Sequence, residues 1–248
     1  EIFFTKINTS SLKEFVSLIG NTPENFVNFE GAINSLNLKI PKPAIINYKN
    51  KSEILNSIIL TGDIENFGVK KINSEKGFSG LNGKFLINSS GVDLDFFSNG
   101  TTIDLVDELR IPNLFFSEIV GKVSMESPGL KTLLLGEQKK IPIKIHEVRL
   151  SNSDLLIKSR GLWVFDNGKN EVIDIQGEIT FDRPQVITSY FPKKFGLKTK
   201  NWLEKAIISA DSLFGSFTYI GPIRNFKASV DNPPVNFQAN LMVKNLDL

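Results

Sequence analysis

Apolar and polar residues alternate with a period of two along most of the chain. From Ile173 to Phe181, every second position holds an isoleucine, a glycine or a phenylalanine, and acidic, amide or hydroxyl side chains lie between them. Successive residues of a β-strand point to opposite faces of its sheet, so such a run predicts a strand with one apolar and one polar face. The same pattern recurs at Leu36–Ile40, Val92–Phe96, Ile141–Leu150, Phe226–Val230 and Val235–Val243.

Short stretches rich in Gly, Asn, Asp and Ser separate these runs. Ser89–Gly91 and Asp166–Gly168 are typical of hairpin turns or short loops, and we interpret Gly77, Gly80 and Gly83 as turn glycines as well. Strands joined by short hairpins pair antiparallel, and an antiparallel sheet can keep one face in water. The sequence therefore predicts a mainly β protein built on a long antiparallel sheet.

Two segments follow helical spacing instead. Ser11–Ile19 places its apolar residues three or four positions apart, with a capping box at its start and a glycine after its end. Thr199–Ile208 has an apolar stripe along one side, with Trp202 directed inward and Thr199 as the N-terminal cap. Residues 184–192 predict one further turn of helix. We expect two or three short helices beside the sheet.

Length and composition narrow the class of protein. The 248 residues allow one large or two small domains, and because no Pro/Gly-rich linker divides them we treat residues 1–248 as a single segment. Hydrophobic residues make up 41% and charged residues 23%, which is typical of a folded chain. Lys and Arg number 29 against 27 Asp and Glu, so no basic surface for nucleic acid is expected.

The residue types that carry chemistry are sparse. The chain has no cysteine, which excludes a thiolate metal site and a cysteine nucleophile. His146 is the only histidine, and its position in an alternating run predicts that it faces solvent. Asp93 and Asp95 alternate with apolar residues and are expected on the polar face of a strand. We therefore predict no catalytic residue, no metal site and no cofactor.

The apolar strand faces leave two interpretations open. They form an ordinary core if a second layer covers them, or they line a trough that contacts a ligand. Phenylalanine, with 20 copies against 3 Tyr and 2 Trp, suits a trough because its ring has no polar atom that needs a partner. At about 0.8 kcal/mol per CH₂, hiding an acyl chain of about 16 carbons is worth roughly 12 kcal/mol. The candidate contact residues are Phe85, Ile87, Val92, Leu94, Phe96, Ile175, Ile179, Phe217, Phe237 and Leu241.

The two ends of the sequence indicate a piece of a longer protein. It begins at Glu1 and ends at Leu248 within an alternating run, and no stretch of about 18 apolar residues occurs between them. We expect any membrane anchor to lie outside this segment.

The second half of the chain resembles the YhdP-type AsmA-like proteins. The residues that carry the resemblance are Tyr190-Phe191-Pro192, then Trp202-Leu203 at the start of an apolar stripe, then Gly215, Phe217, Tyr219, Gly221 and Pro222-Ile223-Arg224-Asn225-Phe226. Phe191 stands where the family usually has leucine. The helix at Leu12–Ile19, Gly31–Leu36, Phe78–Gly83 and Val92–Leu94 precede this signature in the family's order.

The resemblance implies an envelope protein of Gram-negative bacteria. Such proteins are anchored in the inner membrane, and their periplasmic part is a long sheet curled into an open hydrophobic groove. They are similar to bridge-like lipid transfer proteins and are implicated in moving phospholipid toward the outer membrane. The resemblance also implies partner proteins in the envelope. The family has no known catalytic residues, so none is assigned here.

Three functional hypotheses follow from these observations. The first is a non-enzymatic phospholipid conduit between inner and outer membrane, which supports outer-membrane integrity and contacts acyl chains through the groove. The second is a structural or adhesive β-sandwich or solenoid, whose apolar faces cover each other. The third is a carbohydrate-active β-enzyme, which requires a pair of carboxylates about 5 to 10 Å apart across a cleft.

Overall fold

A computed structural model describes residues 2–8, 27–40, 57–71, 77–104, 109–126, 140–165, 172–190, 197–207, 210–222 and 236–245. These ranges form thirteen strands, one 3₁₀ helix and one α-helix. The elements are β1 (Ile2–Asn8), β2 (Val27–Lys39), β3 (Ile59–Lys71), β4 (Gly77–Asn88), β5 (Gly91–Ser98), β6 (Thr101–Asp104), β7 (Asn113–Phe116), β8 (Glu118–Glu126), β9 (Ile141–Ser151), β10 (Leu155–Phe165), β11 (Val172–Phe181), the 3₁₀ helix (Pro184–Tyr190), α1 (Leu197–Ala206), β12 (Ser212–Pro222) and β13 (Asn236–Lys244).

All thirteen strands belong to one antiparallel sheet that does not close on itself. Eleven of them follow each other in the order β1-β2-β3-β4-β5-β8-β9-β10-β11-β12-β13, and the short β6–β7 pair branches from β4. The predicted fold class, a long open antiparallel sheet with few helices, is confirmed. Ser89 and Ser90 form the predicted tight turn between β4 and β5.

The helix predictions have different outcomes. The α-helix predicted at Thr199–Ile208 forms at Leu197–Ala206, so Thr199 lies inside the helix and does not cap it. The predicted turn within residues 184–192 is the 3₁₀ helix. The helix predicted at Ser11–Ile19 lies outside the described residues.

The strand register sorts the side chains into two faces. Starting at Ile87 of β4 and following paired residues across the sheet leads to Val92, then Met125, Ile143, Trp163 and Ile173, so apolar residues pair with apolar residues from strand to strand. We call this side of the sheet the apolar face. The alternate positions, such as Asp95, Lys122 and Gln176, make up the polar face.

A bulge in β9 keeps that strand in phase. Ile141, Ile143 and Ile145 occupy odd positions, whereas Val148 and Leu150 occupy even ones, yet all five belong to the apolar face. The register shifts between β9 and both neighbouring strands at this point, which leaves an extra residue between Ile145 and Val148. A bulge inserts one residue into a strand and so restores the sidedness of the residues after it.

A crease separates the β6–β7 pair from the main sheet. It crosses Gly80 in β4, Asn99-Gly100 between β5 and β6, and Ser117 between β7 and β8. Ser98, which is fully buried beside the crease, donates its hydroxyl proton to the carbonyl of Asn82 at 3.1 Å. Thr101 Oγ1 donates to the carbonyl oxygen of Gly80 at 3.3 Å.

The interpretation of the three glycines as turn residues is therefore wrong. Gly77, Gly80 and Gly83 all lie within β4. Gly80 has φ +82° and a Cβ there would lie 2.6 Å from the carbonyl oxygen of Gly100, whereas a Cβ on Gly83 would lie 2.4 Å from the carbonyl of Asp95. Close approach of neighbouring backbones, rather than a chain reversal, explains these positions.

A buried hydrophobic cluster lies on the apolar face at one end of the strands. There, β7, the 3₁₀ helix and the residues Ile207 and Ala210 pack on the ends of β8, β10, β11 and β12. We call the covering elements the cap. The cluster consists of Leu114, Phe116, Ile119, Leu155, Phe181, Ile187, Ile207, Ala210 and Leu213.

Candidate functional site: the apolar face

The ten predicted contact residues all lie on the apolar face. Cross-strand pairs link them directly: Ile87 is opposite Val92, Phe85 is opposite Leu94, and Tyr219 lies opposite both Ile175 and Phe237. The remaining members, Phe96, Ile179, Phe217 and Leu241, belong to the same rows of paired residues. Their assignment as lipid contacts stays a prediction, but the sheet brings them to one side.

Most of the apolar face has no protein layer over it in the described ranges. None of the ten residues is fully buried: eight are half-buried, and Phe237 and Leu241, which are 62% and 42% exposed, lie in β13, where every residue is exposed. Side chains reach the exclusion typical of a core in the row beside the cap, with Leu155 and Leu213 at 2% exposure, and in β2, where Ile33 is 8% exposed. The described strands form one sheet and not two facing sheets. The cap therefore covers the apolar face at one end of the strands, and the described residues place no second layer over the middle of this face.

Two phenylalanine rings on the apolar face cover glycines of neighbouring strands. A Cβ on Gly177 would lie 2.9 Å from the ring of Phe217, and one on Gly62 would lie 2.8 Å from the ring of Phe85. Each ring therefore lies over the glycine of the neighbouring strand and covers its backbone. The middle row reads, strand by strand, Gly83, Phe96, Gly121, Val148, Ser159, Gly177, Phe217 and Ala239.

Tyr219, which lies between Ile175 and Phe237 on the apolar face, is half-buried. Burial raises the pKa of its phenol above the ordinary value of 10.0. A phenolate is penalised by lost hydration, so the neutral form, which tolerates an apolar surrounding, is favoured.

The polar face carries a row of alternating charge. Asp63, Lys84, Asp95, Lys122 and Glu147 are successive partners across five adjacent strands. We call these five residues the charge ladder. Lys84 Nζ lies 4.0 Å from Asp63 Oδ1, and both side chains are largely exposed. Opposite charges on facing strands stabilise the sheet slightly and keep this side in water.

The candidate chemical residues belong to this polar face. Asp93 Oδ1 forms an ion pair with Lys122 Nζ at 3.4 Å, and Asp95 is exposed within the charge ladder. His146 is exposed, as predicted, and its Nε2 lies 2.7 Å from Ser124 Oγ. The described residues contain no group of three or more His, Cys, Asp or Glu side chains that could hold a metal ion.

A polar network fastens the cap to the turn between β9 and β10. Tyr190 donates its hydroxyl proton to Asp154 Oδ2 at 2.8 Å, and Asn152 Nδ2 donates to the Tyr190 oxygen at 3.2 Å. Arg183 pairs with the other oxygen of Asp154. The rings of Phe181 and Tyr190 meet edge to face with centroids 5.6 Å apart.

This network sets the pKa of Asp154. Partial desolvation raises that pKa, but hydrogen bonds from Tyr190, Arg183 and Ser153 outweigh it and leave the pKa below 3.8. The pKa of Tyr190 is raised, first by burial and then by its hydrogen bond to Asp154. The carboxylate is therefore held ionised and the phenol is held neutral.

The structure describes some of the four family-signature positions Tyr190, Pro192, Trp202 and Leu203. Tyr190 anchors the cap, and Leu203 packs against its buried cluster. Trp202 lies in α1, but the prediction that its side chain points inward concerns a side chain outside the described part, as does Pro192. The sequence did not predict the Asp154 network, because its members lie up to 38 residues apart and come into contact only when the chain folds.

A long open antiparallel sheet, whose apolar face is covered only in part by the described residues, defines the class of β-groove proteins. The YhdP protein family model matches residues 1–248, and the chain belongs to that family. It is an AsmA-like, envelope-associated family that is generally one of non-enzymatic transport. No curated protein and no solved structure matches the chain. The described part has no helix with the length and hydrophobicity needed to cross a membrane.

Proposed function

We propose that the chain is a non-enzymatic conduit for phospholipid between the inner and outer membranes, and that it thereby supports outer-membrane integrity. The observation that carries the proposal is the apolar face, which is continuous across eleven strands and largely open to a ligand. Acyl chains lie on this face and are shielded from water. Its location is the periplasm, in a protein anchored in the inner membrane through a part outside this segment.

The energetics favour acyl chains as the occupant. Each buried CH₂ contributes about 0.8 kcal/mol, so an apolar face gains most from a long, unbranched hydrocarbon. The phenylalanine rings and aliphatic side chains require no hydrogen-bonding partner from such a ligand. The charge ladder keeps the opposite face in water, so that lipid is bound on one side only.

Two neighbouring residues of β11 provide a matched test. Ile175 lies on the apolar face, whereas Gln176 is exposed on the polar face. Ile175→Glu places a charge where acyl chains must pass, so we expect a severalfold loss of co-purified phospholipid in native mass spectrometry and of acyl-chain transfer between vesicles. Gln176→Glu adds the same charge to the polar face and should keep the lipid content of the unmodified chain.

Folding of the variants is checked by circular dichroism, and Leu241→Glu with Asn240→Glu repeats the comparison at the exposed edge strand. No bound phospholipid in the unmodified chain, or equal lipid content in folded variants of the two faces, would contradict the conduit. Photo-crosslinkers at Phe96 or Phe237 test the same face in cells, where lipid adducts are expected.

A further inference from the structure

A pocket of about 470 Å³ opens on the polar face, where the charge ladder crosses β3 and β4. This volume falls within the about 300 to 1,000 Å³ that is typical of ligand pockets. Three asparagine amides contribute to its wall, and we therefore call it the amide pocket. The polar residues that line it are Asn34, Asp63, Glu65, Asn82, Lys84 and Asn99.

Two bulges shape the wall of the amide pocket. The strand register shifts just after Asn34 in β2 and just after Ile64 in β3. Each bulge contains a residue with positive φ, Ser35 at +52° and Asn66 at +49°, which non-glycine residues rarely adopt. Bulges change the direction of nearby side chains and are frequent beside functional sites. Here they directly adjoin two of the lining residues.

Hydrogen bonds hold the polar side chains of the amide pocket in place. Asn34 Nδ2 donates to Glu65 Oε2 at 2.9 Å, and the backbone N–H of Asn66 donates to Asn82 Oδ1 at 2.8 Å. Asn99 is exposed at the crease. Side chains that are ordered before a ligand arrives lose less conformational entropy when it binds.

Phe97 adds an apolar ring to this polar pocket. Its neighbour Phe96 belongs to the apolar face, so Phe97 projects from the polar face, where it is 48% exposed. A large exposed ring beside amides favours a ligand that has both an apolar surface and hydrogen-bonding groups around its rim.

The charges of the amide pocket disfavour an anionic ligand. Asp63 and Glu65 contribute two carboxylates and Lys84 one ammonium group, so a phosphate would meet a net negative charge. A cation would be repelled by Lys84, and Glu65 already accepts a hydrogen bond from Asn34. Hydroxyl groups both donate and accept hydrogen bonds, so a neutral polyhydroxylated ligand suits this mixture of side chains.

We propose that the amide pocket binds a neutral saccharide, independently of the lipid conduit. The C–H face of a pyranose ring packs on Phe97, and its hydroxyls exchange hydrogen bonds with Asn34, Asp63 and Asn99. The site binds sugar without cleaving it, because Asp63 and Glu65 belong to one strand, whereas glycoside hydrolysis usually needs carboxyl groups that flank the scissile bond. The sheet then carries lipid on one face and saccharide on the other.

Saturation-transfer difference NMR tests the site with two neutral probes, triacetylchitotriose and cellotriose. We expect saturation transfer to at least one of them, and a severalfold weaker transfer in Phe97→Ala, which removes the stacking surface. Val120 lies directly opposite Phe97 on the same face and is 43% exposed, but it does not line the amide pocket. Val120→Ala should therefore leave the transfer unchanged.

Asn34→Ala tests the polar wall and should also weaken the transfer severalfold, with folding of each variant checked by circular dichroism. Absence of transfer to both sugars, or full transfer in folded Phe97→Ala or Asn34→Ala chains, would overturn the proposal. Transfer to choline but to neither sugar would also overturn it and would identify an organic cation as the ligand. All of these outcomes concern the polar face and leave lipid binding on the apolar face unaffected.

Discussion

Two glycines at the crease show how single residues determine the bend in the sheet. Gly80 and Gly100 both have positive φ, +82° and +96°, which L side chains rarely adopt. Their surroundings differ, because a Cβ on Gly80 would lie 2.6 Å from a carbonyl oxygen, whereas a Cβ on Gly100 would first meet the Phe115 ring at 3.7 Å. Gly100 needs glycine for its conformation, and Gly80 needs it for both conformation and space.

Alanine at the two positions separates these requirements. Gly100→Ala should lower the free energy of unfolding by about 1 to 2 kcal/mol through backbone strain. Gly80→Ala should lose a further 1 to 3 kcal/mol or so, because the backbone contact must open. Urea unfolding followed by circular dichroism gives both values. Equal losses would show that the contact with the Gly100 carbonyl does not constrain Gly80.

Tyr190 links the stability of the cap to pH. The pKa of Asp154 is below its ordinary 3.8 in the folded chain, so its contribution is complete above about pH 4 and is lost as the pH falls through the lowered pKa. Tyr190→Phe removes one of the hydrogen bonds that lower this pKa. In the variant, the Asp154 pKa should be higher, and the free energy of unfolding should fall less between neutral and acid pH.

The free energy of unfolding of both proteins is measured from pH 6 down into the acid range. The Asp154 pKa of each protein is measured separately by carboxyl NMR. A Tyr190→Phe chain with an unchanged Asp154 pKa would contradict the assigned hydrogen bond. Loss of the hydroxyl should also cost about 0.5 to 1.5 kcal/mol at neutral pH.

At the scale of whole elements, periodicity predicted the strands and their faces but not their irregularities. The run from Ile173 to Phe181 became β11 with the expected apolar side. The change of phase between Ile145 and Val148 was visible in the sequence, yet only the register with β8 and β10 identifies it as a bulge. Glycines in β4 were mistaken for turns because turns and close strand contacts both require a missing side chain. The cap packs on the strand ends through contacts between residues that are far apart in the sequence, so no local pattern predicts it.

The charge ladder makes a prediction at this scale. Lys84→Glu places three carboxylates on adjacent strands, beside Asp63 and Asp95, whereas Lys84→Gln only removes the positive charge. We expect Lys84→Glu to be less stable than Lys84→Gln by about 0.5 to 1 kcal/mol at low salt. The difference should shrink in 1 M NaCl, because exposed charges are screened there. A difference independent of salt would indicate a steric cause.

For the whole molecule, the open sheet predicts a gradient of local stability. All nine residues of β13 are exposed, and among the described strands it pairs with β12 alone, whereas β11 pairs on both sides. Backbone amides of β13 should therefore exchange hydrogen for deuterium well before those of β11 in peptide-resolved mass spectrometry. Protection of β13 as strong as that of β11 would show that another strand covers its outer edge.

The number of strands along the sheet restricts how it could be lengthened. Eleven antiparallel strands lie in line, an odd number, so β1 and β13 run in the same direction. Copies placed side by side by simple translation would therefore meet as parallel strands and interrupt the pairing pattern. A two-fold axis perpendicular to the sheet would join two like edges antiparallel and keep both apolar faces on one side. Any other strand that extends the sheet in its present pattern must run opposite to β1 or β13.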